Sequence, residues 1–158
     1  PEKEKIDFDY IEERAVGQLL QNIKLEIRRQ GKEESRAKRV TVMSTREGEC
    51  KSYLTKMAVE KLRASNEWVA YIYPGDKEKI DHPDDKPYLT DHQFFDIKTE
   101  AKLIGSKHFN PDEYDYNFLE IPGLLTESFP VDLTAKYDIA LMVVRGNRSW
   151  DHADSNAL

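Results

Sequence analysis

Ile139-Ala140-Leu141-Met142-Val143-Val144 is apolar at every position. A strand with one wet face alternates apolar and polar side chains, so an unbroken apolar run needs cover on both faces. A parallel sheet clothed by helices provides that cover. Three other runs read as strands in the same way: Val40–Met43, Trp68–Tyr73 and Phe118–Ile121. Helical spacing falls before and between them. Ile11, Val16, Leu19, Leu20, Ile23 and Ile27 mark one buried helix face over Tyr10 to about Gln30, and a second helix covers about 51–65. Strands alternating with helices predict an α/β class: a three-layer fold with a mainly parallel central sheet covered by helices.

The remaining segments are weaker. Residues 1–9 are charged and expected to be loose. Residues 24–39 carry seven basic residues against Glu26, Glu33 and Glu34, which suits a solvated helix end and linker better than a surface for a membrane or partner. Residues 74–92 are rich in Pro, Asp and Lys and read as a long exposed loop. Phe94–Ile97 reads as a short strand, followed by a short helix through Ile104; Asp132–Tyr137 reads as briefly helical. At 158 residues the chain is expected to be a single domain with a sizeable core. The net charge of −6 argues against a general nucleic-acid binder. A single cysteine excludes an internal disulfide framework. No apolar run approaches the roughly 20 residues that cross a bilayer. Pro1 in place of an initiator Met leads to the expectation of a fragment of a longer protein.

The chemistry concentrates after the first strand. Ser44-Thr45-Arg46-Glu47-Gly48-Glu49-Cys50-Lys51-Ser52 lies between the run 40–43 and the helix from about 51. That order suits a phosphate-binding loop. The strand delivers a turn, the turn aims backbone N–H groups at phosphate, and the helix N-terminus adds partial positive charge. Lys51 stands where a lysine would meet phosphates, and Ser52 where a hydroxyl would meet Mg²⁺. Thr45 and Cys50 occupy the two positions at which the motif has glycine. At the ends of the second and third strands stand Asp76 and Glu120. In parallel sheets ligands bind at the carboxyl ends of strands, so these acids are expected near Lys51, able to hold Mg²⁺ directly or through water.

With these residues assembled, the chain resembles the bacterial tyrosine kinase (BY-kinase) domain of polysaccharide co-polymerases, the chain-length determinants of exopolysaccharide and capsule export. The family's loop commonly reads Pro-Gly-Glu-Gly-Lys-Ser; Glu47-Gly48-Glu49-Cys50-Lys51-Ser52 shares Gly48, Glu49, Lys51 and Ser52. Ile72-Tyr73-Pro74-Gly75-Asp76 resembles its Asp-x-Asp strand end but keeps only the second acid. Phe118-Leu119-Glu120-Ile121-Pro122-Gly123 is similar to its Asp-Thr-Pro-Pro motif, with Glu for Asp. Tyr114-Asp115-Tyr116 and Asp138 to Arg145 also resemble family segments, so the likeness runs from about Tyr10 to Arg145.

The resemblance implies a P-loop NTPase-like fold binding ATP and Mg²⁺. Residues 47–52 would hold nucleotide, and Ser52, Asp76 and Glu120 would hold the metal. It implies partners in the membrane-spanning co-polymerase segments of the same protein and the export machinery, self-association as a homo-oligomer, and a place on the cytoplasmic face of the bacterial inner membrane. The departures fall on the chemistry. Cys50 crowds the phosphate path, and Pro74 carries no carboxylate. Gly17 and Leu20 stand where the family's oligomerisation arginines would be expected, and the tyrosine cluster is absent. No catalytic residue is assigned, and the expected role is regulatory or in assembly, as in a pseudokinase. The competing readings are an active tyrosine kinase or partitioning-type ATPase, with Arg46 nearest to the latter's extra lysine, and an interaction module that never meets nucleotide.

Three lesser constellations carry less. His82, Asp84, Asp85, Asp91 and His92 share one loop and read as solvated rather than as a metal site. Cys50 near a helix N-terminus has no adjacent histidine to activate it. Asn147 or Ser149 reads as the cap of a last helix, with base contact a second role for Asn147.

Overall fold

A computed structural model describes residues 8–31, 36–45, 51–91, 94–123 and 129–144, with side chains from residue 13 onward. Eleven elements follow in order. Helix α1 (Phe8–Arg29) leads to strand β1 (Lys38–Ser44) and helix α2 (Lys51–Ala64). Strands β2 (Val69–Pro74) and β3 (Asp85–Tyr88) precede a 3₁₀ turn at Phe94–Asp96 and helix α3 (Glu100–Ile104). A second 3₁₀ turn at Pro111–Glu113 leads to β4 (Tyr116–Glu120), α4 (Val131–Thr134) and β5 (Ile139–Val143).

The five described strands form one sheet in the order β3-β2-β4-β1-β5, and every pairing is parallel. The expected α/β class with helices on both faces is therefore present. Strand alternation splits the core in two. Val40 and Val42 of β1, Val69 and Tyr71 of β2, and Tyr116 and Phe118 of β4 face α1 and α2. Helix α1 meets them with Val16, Leu20, Ile23 and Ile27, a stripe at helical spacing. Helix α2 adds Ala58, Val59 and Leu62. On the opposite face Ile72, Leu119 and Ile121 pack with Tyr88, Phe94, Ile97, Leu103, Ile104 and Leu133. Each fully buried side chain of this size contributes about 1.5–3 kcal/mol.

Local chemistry sets the helix ends. Thr99 caps α3 by accepting the Lys102 N–H at 3.2 Å, and Gly105 closes it in the left-handed region at φ 77°. Asn66, at φ 64°, ends the turn after α2 in the same region.

Three expectations need correction. The segment 74–92 is not simply an exposed loop, because β3 lies within it and its Asp85, Pro87 and Tyr88 are buried. The Asp85 carboxylate is accommodated by Arg63 of α2 at 2.9 Å. Pro87 is tolerated because β3 is an edge strand with one side that needs no ladder N–H. Phe94–Ile97 is not a strand: Phe94–Asp96 forms a 3₁₀ turn that drops Phe94 onto Tyr88, with ring centroids 5.5 Å apart. The most apolar strand, β5, sits at the edge of the described sheet and is only half-buried.

Candidate functional site at the carboxyl edge of the sheet

Parallel pairing brings the ends of β1, β2 and β4 to one edge. Glu120 is the last residue of β4, paired in register with Val42 of β1. Lys51 and Ser52 begin α2, whose first turn stands over the same edge. The neighbourhood of β1 and β4 thus turns a sequence separation of 68 residues into contact: the Ser52 hydroxyl donates to Glu120 Oε2 at 3.0 Å.

Glu120 is 3% exposed. A carboxylate buried to that degree needs donors to replace water. Tyr71 of β2, on the same sheet face, directs its hydroxyl to Oε1 at 3.4 Å. From the other face the Tyr88 hydroxyl donates to the Glu120 backbone carbonyl at 2.6 Å. The Tyr71 phenol is pushed well above its ordinary value, first by burial and then by the negative charge of Glu120, so it remains a hydrogen-bond donor.

Lys51 is 6% exposed, and its ammonium donates to Ser44 Oγ at 3.0 Å. That bond folds the side chain back over the end of β1. Thr55 locks the first turn of α2 by donating to the Lys51 carbonyl at 2.7 Å. Ser44 and Thr45, at the end of β1, are fully buried.

Asp76 belongs to the same edge in the topology, two residues beyond β2, but its carboxylate has a local task. It is exposed, and Oδ1 accepts the Glu78 N–H at 3.0 Å, closing a turn. Gly75 shapes the entry to this turn: a Cβ there would lie 2.8 Å from Cε2 of Tyr73, so the ring would have to move. The Tyr73 ring in turn stacks on Tyr71 at 4.5 Å. The structure thus brings Ser52 and Glu120 into direct contact and places Lys51 beside Ser44, while Asp76 is engaged in its own loop. Glu47, Gly48, Glu49 and Cys50 lie outside the described residues, as do Arg46, His92, Asn147 and Ser149.

Around the connection from β2 into β3 the acids have protein partners, and Asp85 is buried rather than solvated. His82 Nδ1 accepts the Asp84 N–H at 3.1 Å, the Asp84 carboxylate accepts the Tyr114 hydroxyl at 3.0 Å, and Asp85 pairs with Arg63. Among the described residues no group of three or more His, Cys, Asp or Glu side chains is placed to hold a metal.

The residues that sequence reasoning passed over are Ser44, Tyr71 and Tyr88. For Tyr71 there was a signal. It shares strand parity with Val69 and Tyr73, so it faces α2 as Glu120 does. For Tyr88 the signal was lost in a segment read as a loop.

Chemically, Ser52 and Glu120 offer two hard oxygens in contact, the number of protein ligands that a nucleotide-bound Mg²⁺ commonly takes. Lys51 supplies positive charge at the start of a helix, where anions are favoured. Ser52 and Glu120 would be the pair to hold Mg²⁺, and Lys51, bonded to Ser44, would have to turn from that partner to meet phosphate. Fold and site together define a parallel α/β domain with a lysine, a hydroxyl and a held carboxylate at the carboxyl edge of its sheet. No family model, curated protein or solved structure matches the chain. Among the described residues no helix is long and apolar enough to cross a membrane.

Proposed function

We propose that this chain is a nucleotide-responsive P-loop-like domain of the BY-kinase kind, altered so that it regulates or assembles rather than transfers phosphoryl groups. Its partners would be the membrane-spanning segments of an exopolysaccharide co-polymerase and the associated export machinery, at the cytoplasmic face of the inner membrane. That context rests on the motif resemblance alone. The nucleotide-site reading rests on one observation above all: the 3.0 Å bond between Ser52 and Glu120, which joins the helix after β1 to the end of β4. A hydroxyl at a helix start in contact with a strand-end carboxylate is the pair that a P-loop-like Mg²⁺ site would use.

Weak turnover follows from the same residues. Pro74 has no carboxylate, and the Asp76 carboxylate closes its own turn, so the edge holds fewer groups able to orient a nucleophile. The test is an NMR titration of the protein with Mg·ADP and Mg·ATP, followed by phosphate-release assays. We expect amide shifts centred on residues 44–52 and the end of β4, an affinity weaker than micromolar, and little or no phosphate release. Lys51→Met should weaken binding about tenfold or more, the scale of a lost charge-assisted contact. Absence of shifts at millimolar nucleotide would replace this reading with that of a nucleotide-independent interaction module. Robust phosphate release would replace it with an active enzyme.

A further inference from the structure

We propose that Tyr71 and Tyr88 are positioning residues that grip Glu120 from opposite faces of the sheet and so set the metal-dependent part of nucleotide binding. The inference rests on the reading of this edge as a nucleotide site. Its starting point is a peculiarity of Glu120. A glutamate has one more rotatable bond than an aspartate, so holding its carboxylate in one place costs more entropy. A ligand to a small cation gains from being fixed beforehand.

The structure supplies two fixings that the local sequence around Glu120 does not contain. Tyr71 comes from β2 on the α2 side and reaches the carboxylate itself, at 3.4 Å from Oε1. Tyr88 comes from β3, crosses behind β2 on the opposite side, and reaches the Glu120 carbonyl at 2.6 Å. Both phenols are buried, at 5% and 1% exposure, and each ring is braced by another, Tyr71 by Tyr73 and Tyr88 by Phe94. Neither hydroxyl could be placed there by a flexible surface side chain. The division of labour is clear. The Tyr88 hydroxyl fixes where β4 ends, and the Tyr71 hydroxyl fixes which way the side chain points. A cation held by the Ser52 lone pair and by Glu120 would leave Oε1 with its donor. Glu120 then needs no reorganisation.

The test separates a grip on Glu120 from a general contribution to folding. Affinity for ADP is measured by NMR titration with Mg²⁺ and again in EDTA, for the parent, Tyr71→Phe, Tyr88→Phe, Glu120→Gln and the double variant Tyr71→Phe/Glu120→Gln. Phenylalanine keeps both ring contacts and removes only the hydroxyl. We expect Tyr71→Phe and Tyr88→Phe each to reduce the Mg²⁺-dependent gain about fivefold, with affinity in EDTA unchanged within about twofold. In the Glu120→Gln background, adding Tyr71→Phe should cost no further ADP affinity, because the Mg²⁺-dependent gain that it supports has gone. A Tyr71→Phe protein that retains the full Mg²⁺-dependent gain overturns the proposal and leaves the nucleotide site standing. So does one that loses affinity equally with Mg²⁺ and in EDTA, which marks a structural role. If the parent binds no ADP under either condition, the site reading fails and this inference fails with it. Should Tyr88→Phe not fold, Tyr71→Phe decides alone.

Discussion

Among the described residues three buried carboxylates differ in their charged neighbours. Asp85 on β3 lies 2.9 Å from Arg63, and Glu100 at the start of α3 lies 3.7 Å from Arg39. Each faces a guanidinium, an always-charged fork that suits a carboxylate and stays with it. Among its described partners Glu120 receives hydroxyls from Ser52 and Tyr71. A hydroxyl satisfies an oxygen without neutralising its charge, and it can rotate to offer a lone pair where it had offered a proton. The arginine-paired acids sit away from the carboxyl edge and read as fastenings between layers. The hydroxyl-held acid sits on that edge. The difference teaches that burial of an acid is not by itself a sign of function; the kind of donor that holds it is the better guide.

That contrast can be broken by mutation. Arg63→Met should have the largest effect on stability, a loss of about 3 kcal/mol, because it strands a buried carboxylate. Urea denaturation of the variant measures it, and nucleotide affinity should stay within about twofold of the parent. A loss below about 1 kcal/mol would mean that Asp85 is not fastened in the way described.

Glu120→Gln should do the reverse. The amide oxygen can still accept a hydroxyl, so stability should change by only about 1 kcal/mol. The Mg²⁺-dependent part of ADP affinity should disappear. If Glu120→Gln instead unfolds the protein as readily as Arg63→Met, Glu120 is a fastening too, and the distinction drawn between the acids collapses.

The smallest effect at neutral pH belongs to the tyrosines beside the two glutamates. Tyr71 near Glu120 and Tyr137 near Glu100 are both pushed up, by burial first and by the adjacent carboxylate second. Tyr116 is pushed up to about 12, mainly by burial. A raised folded-state value means that the neutral phenol is favoured by folding. Its contribution is fully present below the ordinary tyrosine value of about 10, and is lost as pH climbs through the folded-state value. Phenolate absorbance should therefore rise late for these tyrosines, together with loss of helical circular dichroism. Early, complete ionisation in a protein that keeps its fold would show that the phenols are not held as described. Replacing Glu120 with Gln should bring Tyr71 ionisation down more than that of Tyr137, which sharpens the comparison between the two regions.

Much of the fold was legible because it was written in local periodicity. The strands at 40–43, 68–73, 118–121 and 139–144 carry apolar side chains at both parities, and all four appear, shifted by at most two residues at their ends. The stripe of Val16, Leu20, Ile23 and Ile27 likewise predicted the face of α1 that the core takes up. Lys51, Ser52 and Glu120 could be picked out because chemistry-bearing residues stood at strand ends and a helix start, where a parallel sheet gathers them.

Tertiary structure alone decided the rest. Asp85-Lys86-Pro87-Tyr88 has no strand pattern of its own. It becomes a strand because β2 offers an unpaired edge, Arg63 answers the charge of Asp85, and an edge position forgives Pro87. Without that strand Tyr88 could not reach the end of β4. The edge position of β5 was equally invisible, since pairing order is a long-range property and an apolar run reads the same in the middle of a sheet or at its margin. Asp76 could be assigned to the right edge from its place after β2, but not to its turn, because a side chain's nearest donor is set by the backbone folded around it. Local sequence determined which segments would be buried and which residues would arrive at one edge of the sheet. The hydrogen bonds that fix Glu120 there come from chain segments 68, 49 and 32 residues away, and only the folded molecule brings them together.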